Sequence, residues 1–398
     1  MRLDVFYNAY GRRLFVGRLA EEGRRVFFEY APEFVSRETE LSPFHLPLKP
    51  GVFEAPLLFN GLFGVFYDSL PGSWGRLLLD RKLQRCGLSY ERLSPLSRLS
   101  LVGSNSFGAL EYEPAEAGCS EDVQTSVHLD DLACDADALL EGQPCRMLDE
   151  LAELGGAAGG AQPKIAALVS DDKRRIVHGN LAAPDGFLPW LIKLSNRTDR
   201  RGSGLQEYVC SVLARKAGIV MPETHLFPSK LGCGHFGVKR FDRTGKGKVH
   251  IHSACGLLHA DNRLQSLDYA ALLKLTLVLT KDYQDVEQMV RLMIFNVKVG
   301  NKDDHSRNFS FMLDESSKWK LAPAYDLTKS RGINGEQTAM VNGKGVNITD
   351  DDLLAEALRI GVSARKTREM IEEVSSCLAE YDAVMKEAER TVSAEVQG

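Results

Sequence analysis

Gly300-Asn301-Lys302-Asp303-Asp304-His305-Ser306-Arg307-Asn308, with Tyr325-Asp326-Leu327 a short way downstream, is the stretch on which the reading of this chain turns. Moving a phosphoryl group needs one carboxylate beside the acceptor hydroxyl and further oxygen ligands to hold Mg²⁺ against the phosphates. Asp303, Asn308 and Asp326 are of the right type for all three duties. Between them, Asn308-Phe-Ser-Phe-Met-Leu and Trp319-Lys-Leu-Ala-Pro alternate like two short strands across a polar turn at 314–318, a hairpin that returns Asp326 towards Asn308.

Asp, Asn and Gly also collect in turns for conformational reasons alone. The preceding segment argues for more than a polar turn. Val286, Met289, Val290, Met293, Ile294 and Val297 recur at three- and four-residue intervals, so a buried helix delivers the loop from a rigid support. The interval from Asp303 to Asn308 matches the protein-kinase catalytic loop, where the Asp receives the substrate proton and the Asn binds metal. Asp326 then becomes the second metal ligand.

A chain of 398 residues has room for two or three domains. Its longest strongly apolar stretch, near Leu272 to Leu279, is interrupted by Lys274 and too short to span a bilayer. The start, Met-Arg-Leu-Asp-Val-Phe-Tyr-Asn, has no signal-peptide core, so a cytoplasmic protein is expected. The eight cysteines (86, 119, 134, 145, 210, 233, 255 and 377) form no C-x-x-C pair, which points to reduced thiols and away from a disulfide framework or zinc ribbon. A net charge of −5 gives no global basic field, so direct nucleic-acid binding by this chain alone is disfavoured.

Upstream, residues 1–113 carry short alternating strands such as Leu3-Asp-Val-Phe-Tyr and Arg25-Val-Phe-Phe-Glu-Tyr, the pattern of a small β-rich domain. A helix is expected from Pro71-Gly-Ser73-Trp74, with Ser73 as cap and Leu77, Leu78 and Leu83 inward, and a second from Ser94-Pro95. Residues 114–128, acidic at Glu116, Glu121 and Asp122, read as a linker. Helical patterns at Leu129 to Leu140 and Arg146 to Leu154 then run into Gly155-Gly-Ala-Ala-Gly-Gly-Ala-Gln-Pro-Lys164. Four glycines in six residues let a backbone fold closely over an anion, and Lys164 adds charge at its end; the plainer alternative is a flexible linker. No G-K-[ST] closes the stretch, so it is not a Walker A loop.

Strands follow at Ile165 to Val169 and Arg175 to Val177, and then Leu188-Pro-Trp-Leu-Ile-Lys193-Leu-Ser. A lysine between Ile192 and Leu194 is costly to bury unless it meets an anion, although strand alternation alone lets it face water. The next helix shows Leu205, Tyr208, Val209, Val212 and Leu213 on one face, with Glu207 as the natural partner for Lys193. A strand at Gly234 to Arg243 leaves this part, and helices at Leu267 to Leu279, Asp285 to Val299 and Asp351 to Glu389 build a larger helical part. His250, His252, Cys255 and His259 crowd together without the paired spacing of a zinc site. The basic pairs at 12–13, 24–25, 174–175 and 200–201 read as solvated faces.

Taken together, G-G-A-Q-P-K at 159–164, I-K-L at 192–194, K-R-F-D-R at 239–243, D-D-H-S-R-N at 303–308 and A-Y-D-L at 324–327 resemble the HipA family of bacterial serine/threonine kinases. That family is the toxin half of type II toxin–antitoxin pairs. L-P-G-S-W-G-R at 70–76 and V-G-S-N-S-F-G-A-L at 102–110 resemble its N-terminal domain, so the likeness covers nearly the whole chain. The resemblance implies an α+β fold with a two-lobed kinase-like catalytic domain, a smaller lobe at 129–245 and a mostly helical lobe at 246–398, preceded by the β-rich domain at 1–113.

It also implies ATP and Mg²⁺ as cofactors. Gly159, Gly160, Ala161, Gln162 and Lys164 would cover the phosphates, Lys193 with Glu207 would hold them, and the backbone of Lys239, Arg240 and Phe241 would meet adenine. His305 and Tyr325 would line the nucleotide site, Asp303 would be the base, and Asn308 and Asp326 would bind Mg²⁺. The family usually has Gly where Asp304 stands, a departure expected to bear on substrate fit. Ala157 and Ala158 stand where members carry a self-phosphorylated serine, a role left to Ser170 or Ser195 if any residue has it. The implied partners are a small helix-turn-helix antitoxin, with DNA reached only through it, and a protein substrate such as an aminoacyl-tRNA synthetase or other translation factor. An inactive kinase-like co-repressor and a small-molecule or lipid kinase are the alternatives.

Overall fold

A computed structural model describes residues 1–115, 126–178, 183–195, 202–260 and 267–397. Within the expected linker, Glu116, Glu121 and Asp122 lie outside the described residues, as do Cys119 and the basic pair at 200–201. The chain divides into two compact units, residues 1–204 with 225–251 and residues 205–224 with 252–398.

The first unit opens with β1 (Arg2–Ala9), β2 (Arg12–Glu22), β3 (Arg25–Tyr30), α1 (Pro32–Val35), β4 (Val52–Glu54), α2 (Gly64–Tyr67), α3 (Ser73–Gln84), α4 (Pro95–Val102) and β5 (Leu110–Glu113). The strands form one sheet in the order β4-β3-β2-β1-β5. In β1 every second residue, Leu3, Val5, Tyr7 and Ala9, is buried, as a half-covered strand requires. Ser94 caps α4 by accepting from the Ser97 N–H at 3.2 Å. Ser73 does not cap α3. Gly72 holds that position, and the Trp74 N–H, which has no partner within the helix, donates to the Gly160 carbonyl at 3.1 Å. Of the three leucines expected to face inward, Leu78 is buried and Leu77 and Leu83 are half-buried.

The chain continues through α5 (Leu129–Leu140), α6 (Leu148–Gly155), β6 (Lys164–Ser170), β7 (Ile176–Val177), β8 (Phe187–Lys193), then α7 (Ser203–Lys216), most of which belongs to the second unit, before β9 (Thr224–Phe227) and β10 (His235–Lys239). A second sheet runs β7-β6-β8-β10-β9. One of its faces, bearing Ile165, Ala167, Val169, Trp190 and Ile192, packs on α5 and α6 and on Trp74 and Leu78 of α3. Alternation sends Lys164 and Lys193 to the opposite face.

A short hairpin of β11 (Arg243–Thr244) and β12 (Gly247–Lys248) then meets the N-terminal strands. The Asp242 carboxylate is buried between Arg240 and Arg243, each within 2.6 Å, and accepts the Gly108 N–H at 2.9 Å. Burial alone would raise its pKa, but the two guanidinium groups outweigh burial and hold it far below the usual carboxylate range. Arg243 also donates to the Ser106 carbonyl at 3.0 Å, and Lys248 pairs with Glu111 at 2.7 Å. A charge buried in this way holds only because each partner is present.

The second unit contains the rest of α7, β13 (Ile251–Ser253) from its second residue, α8 (Ala254–Leu258), α9 (Tyr269–Thr280), α10 (Tyr283–Val299), β14 (Ser310–Leu313), β15 (Trp319–Leu321), α11 (Asp350–Arg359), α12 (Ala364–Leu378) and α13 (Tyr381–Gln397). On α7, Leu205, Val209 and Leu213 are buried and Tyr208 and Val212 half-buried, with Glu207, Cys210, Ser211 and Ala214 also buried. Asp282 caps α10, whose Val286, Met289, Val290, Met293 and Ile294 are buried, and Gly300 ends it in the left-handed conformation at φ 78°. The hairpin read from the sequence is present, with Phe311 opposite Leu321 and Leu313 opposite Trp319. Seven cysteines among the described residues carry thiols, and no helix among those residues is long and apolar enough to cross a membrane.

Candidate functional site

The site residues fall into two groups, one in each unit. In the first unit the glycine-rich loop leaves α6 and enters β6. Ala158 is buried, Gly159, Gly160 and Ala161 are exposed, and Gln162 is half-buried with its Nε2 donating to Ser203 Oγ at 3.1 Å. Gly160 has φ +77°, which a side chain would strain, and a Cβ there would also lie 2.6 Å from Lys164 Nζ. The lysine amine therefore lies against the loop backbone.

Lys164 and Lys193 stand directly opposite each other in the β6–β8 ladder, and both are only 6% exposed. Opposed residues in an antiparallel pair project to the same side. Two ammonium groups thus concentrate positive charge on one face of the sheet, at the root of a loop whose exposed backbone can meet an anion. Lys193 Nζ also lies 5.9 Å from the Phe236 ring centroid.

At the end of β10, the backbone of Lys239 pairs with Trp190, and the Arg240 N–H donates to the Pro189 carbonyl at 2.9 Å. The Arg240 guanidinium is engaged with Asp242 and stacks 4.2 Å over the Phe107 ring, while Phe241 is half-buried.

Beyond β8, the Ser195 N–H donates to His235 Nδ1 at 2.9 Å. The other ring nitrogen, at 3.0 Å from Asp130 Oδ1, is therefore the donor. Ser229 Oγ meets the same carboxylate at 2.6 Å, so this histidine ties a loop to α5 and has no serine to activate. Ser195 and Ser170 are both buried and donate their hydroxyls, Ser195 to the Gly234 carbonyl and Ser170 to Asp172.

In the second unit Asp303 is exposed on the loop after α10, and its N–H donates to Ser330 Oγ at 3.0 Å. Asn308 Nδ2 donates back to the Asp303 carbonyl at 2.8 Å and its N–H to the His305 carbonyl at 2.8 Å, closing residues 303–308 into one turn. The hydroxyl of Tyr325 is shared between the Arg307 carbonyl at 2.6 Å and Ser310 Oγ at 2.7 Å, which ties the chain beside Asp326 to the hairpin. Asp326 sits at φ +57°, a left-handed backbone that non-glycine residues rarely adopt and that recurs at functional sites. His305 Nδ1 is buried and accepts or donates no hydrogen bond among the described residues. Glu207 lies 4% exposed on α7.

Asp304, which stands where the resemblance expects Gly, is an interior residue. It is fully buried and points inward, accepting from the Tyr269 hydroxyl at 2.8 Å, Gln337 Nε2 at 2.8 Å and the Ala339 N–H at 3.0 Å. Burial pushes its pKa up to about 6 against the pull of those three bonds, and burial together with Asp304 pushes the Tyr269 hydroxyl well above its ordinary range. Asn296 joins the network through Tyr269 and Asn301, and Gln337 also holds the Asn301 carbonyl at 2.6 Å. Residues 330–339 thus belt the loop, with Thr338 Oγ1 and Lys302 Nζ adding bonds to the Lys302 and Gly335 carbonyls. Gln337, Ser330 and Tyr269 were not singled out from the sequence. The signal for this network was Asn296, a polar residue on the buried face of α10 that needs a partner.

The model of the HipA-like C-terminal domain matches residues 156–381, and that of the HipA N-terminal domain matches residues 3–113. Two Sinorhizobium fredii proteins provisionally named as kinases, Y4dM and Y4mE, are 29% identical over 224 residues and 25% identical over 282 residues. The matched stretches are 52% and 64% of this chain, and 52% and 62% of those relatives' own lengths. A Haemophilus influenzae protein with a similar name is 28% identical over 193 residues, 44% of this chain and 52% of that protein. Among solved structures, a Shewanella oneidensis HipA, determined with HipB and its operator DNA, superposes with a TM-score of 0.67 at 16% identity. The match covers 98% of this chain and 96% of that one, a likeness of fold. With one family model spanning more than half of its residues and a second matching its N-terminal region, the chain belongs to the HipA family.

Proposed function

We propose that the protein is an ATP- and Mg²⁺-dependent serine/threonine protein kinase and the toxin of a toxin–antitoxin pair. Its partner would be a small helix-turn-helix antitoxin that binds DNA, and its substrate a translation-related protein such as an aminoacyl-tRNA synthetase. The observation that carries the reading is the closed turn from Asp303 to Asn308, which holds an exposed carboxylate and an amide in one unit over a buried anchor.

In this reading Asp303 receives the proton of the acceptor hydroxyl as its oxygen bonds the γ-phosphorus and the bond from that phosphorus to the β–γ bridging oxygen breaks, leaving ADP. Lys164 and Lys193 offset phosphate charge, and the exposed Gly159-Gly160-Ala161 backbone covers it. Asn308 and Asp326 fit a Mg²⁺ site by donor chemistry: Asn308 Nδ2 is committed to the Asp303 carbonyl, which turns the amide oxygen the other way, and Asp326 supplies a carboxylate. Mg²⁺ bound there would neutralise charge on the phosphate oxygens.

Incubating the full chain with γ-labelled ATP, Mg²⁺ and bacterial lysate tests the proposal. Label on serine or threonine of a protein is expected. Label on a lipid or metabolite would move the reading to a small-molecule kinase, and nucleotide binding without any transfer would move it to a co-repressor. Asp326→Ala should weaken nucleotide affinity in Mg²⁺, and equal wild-type affinity with and without the metal would count against the metal role.

A further inference from the structure

The first turn of α3, in the N-terminal region, is bound to the glycine-rich loop by two backbone donors and one side-chain donor. The Gly72 N–H donates to the Ala158 carbonyl at 3.0 Å, and the Trp74 N–H donates to the Gly160 carbonyl at 3.1 Å. The Trp74 indole adds a third bond, to the Lys164 carbonyl at 2.9 Å, where the loop becomes β6. The two segments cross so closely that a Cβ on Gly72 would stand 2.2 Å from the Gly160 nitrogen and 2.4 Å from its oxygen. One turn on, a Cβ on Gly75 would stand 2.6 Å from the Gly156 oxygen.

Gly72 itself sits at φ −72°, ψ −170°, a conformation open to alanine. Its lack of a side chain therefore matters for the crossing and not for its own backbone. The loop carbonyls of Ala158 and Gly160 both face α3, which fixes how the intervening peptides turn. An anion-cradling loop owes its affinity to peptides held in place before the ligand arrives.

We propose that Gly72 and Trp74 are positioning residues for nucleotide binding, through which the N-terminal region holds the glycine-rich loop in its anion-binding shape. The inference rests on the nucleotide reading of that loop. It makes the N-terminal region part of the ATP-binding machinery, so that a ligand or partner displacing α3 lowers nucleotide affinity without touching the catalytic turn.

The test uses the full chain as wild type, Gly72→Ala, Trp74→Phe and, as control, Ser73→Ala, whose side chain is exposed. Amide exchange is followed in peptides spanning 156–162, and KM for ATP is separated from kcat. In Gly72→Ala the loop should exchange faster and KM rise about tenfold, with kcat within about threefold of wild type. Trp74→Phe, which keeps the ring but loses the indole N–H, should show the same split at about threefold in KM, and it carries the test if Gly72→Ala does not fold. Ser73→Ala should match wild type. General destabilisation would lower the active fraction, and so the apparent kcat, at unchanged KM. Loop exchange and KM at wild-type values in both variants would overturn the proposal. A wild-type protein that does not bind Mg-ATP would overturn the nucleotide reading and the inference with it, while the exchange data would still report whether α3 holds the loop.

Discussion

The two loops that carry the candidate chemistry are immobilised by opposite means. The glycine-rich loop is held from outside, by backbone donors of α3 and by glycines that allow an approach no side chain would tolerate. The loop bearing Asp303 is held from beneath, by side chains, with a buried carboxylate taking three hydrogen bonds. The first device depends on shape and is indifferent to protonation; the second depends on a titratable group in a dry site, where an unmet partner is costly. Changes to one should therefore appear in nucleotide affinity, and changes to the other in stability and its pH dependence.

The sharpest separation should come from Asp303→Asn. It leaves the anchor and the glycine-rich loop intact, so Mg-ATP affinity should persist while phosphotransfer falls about 10²–10⁴-fold, measured by single-turnover label transfer. An active variant would break the assignment of the base.

Asp304→Ala comes next. It leaves the Tyr269 O–H, one N–H of the Gln337 amide and the Ala339 N–H without their acceptor in a buried site, and should cost about 3 kcal/mol in denaturant unfolding. Because the folded protein raises the pKa of Asp304 to about 6, it binds a proton more readily than the unfolded chain. The contribution of this group to stability is then fully present below the unfolded value, about 3.9, and declines as pH rises towards about 6. Melts taken across that window should show the decline in wild type and lose this component in Asp304→Asn. An unchanged profile would break the contrast between the two loops.

Lys193→Met should act only on the affinity side. It halves the charge of the Lys164–Lys193 pair, and KM for ATP should rise about tenfold while the Asp304-dependent pH profile stays as in wild type. The smallest expected effect is none. Ala157 and Ala158 offer no hydroxyl, and Ser170 and Ser195 are buried and hydrogen-bonded, so long incubation with Mg-ATP should leave activity unchanged. Intact-mass spectrometry showing a phosphate between residues 150 and 170, with lost activity, would break that expectation.

Much of this was legible because it is local. The stripe from Val286 to Ile294 announced α10, the alternation around a polar turn announced the β14–β15 hairpin, and Ser94-Pro95 announced a capped helix. What sequence could not reveal is contact between distant segments. Ser73 has the type of an N-cap, but the start of α3 is satisfied by Gly160, far along the chain, so local propensity lost to a tertiary bond. Asp304 was read as a departure bearing on substrate fit because nothing local says which way its side chain turns. Gln337 and Tyr269, which decide that, lie more than thirty residues away on either side.

The two family models leave residues 114–155 unmatched, a gap that invites cutting the chain there. Folding does not respect the gap. Helices α5 and α6, which lie inside it, share one core with Trp74 and Leu78 from the N-terminal match and with Ile165 and Trp190 from the C-terminal match. Asp242, on the C-terminal side, draws a hydrogen bond from Gly108 on the other. A fragment starting at residue 126 would lose Trp74 from that core and leave a buried carboxylate short of a donor. The N-terminal match and the first part of the C-terminal match, which inheritance treats as separable, share in this molecule one hydrophobic core within the first compact unit.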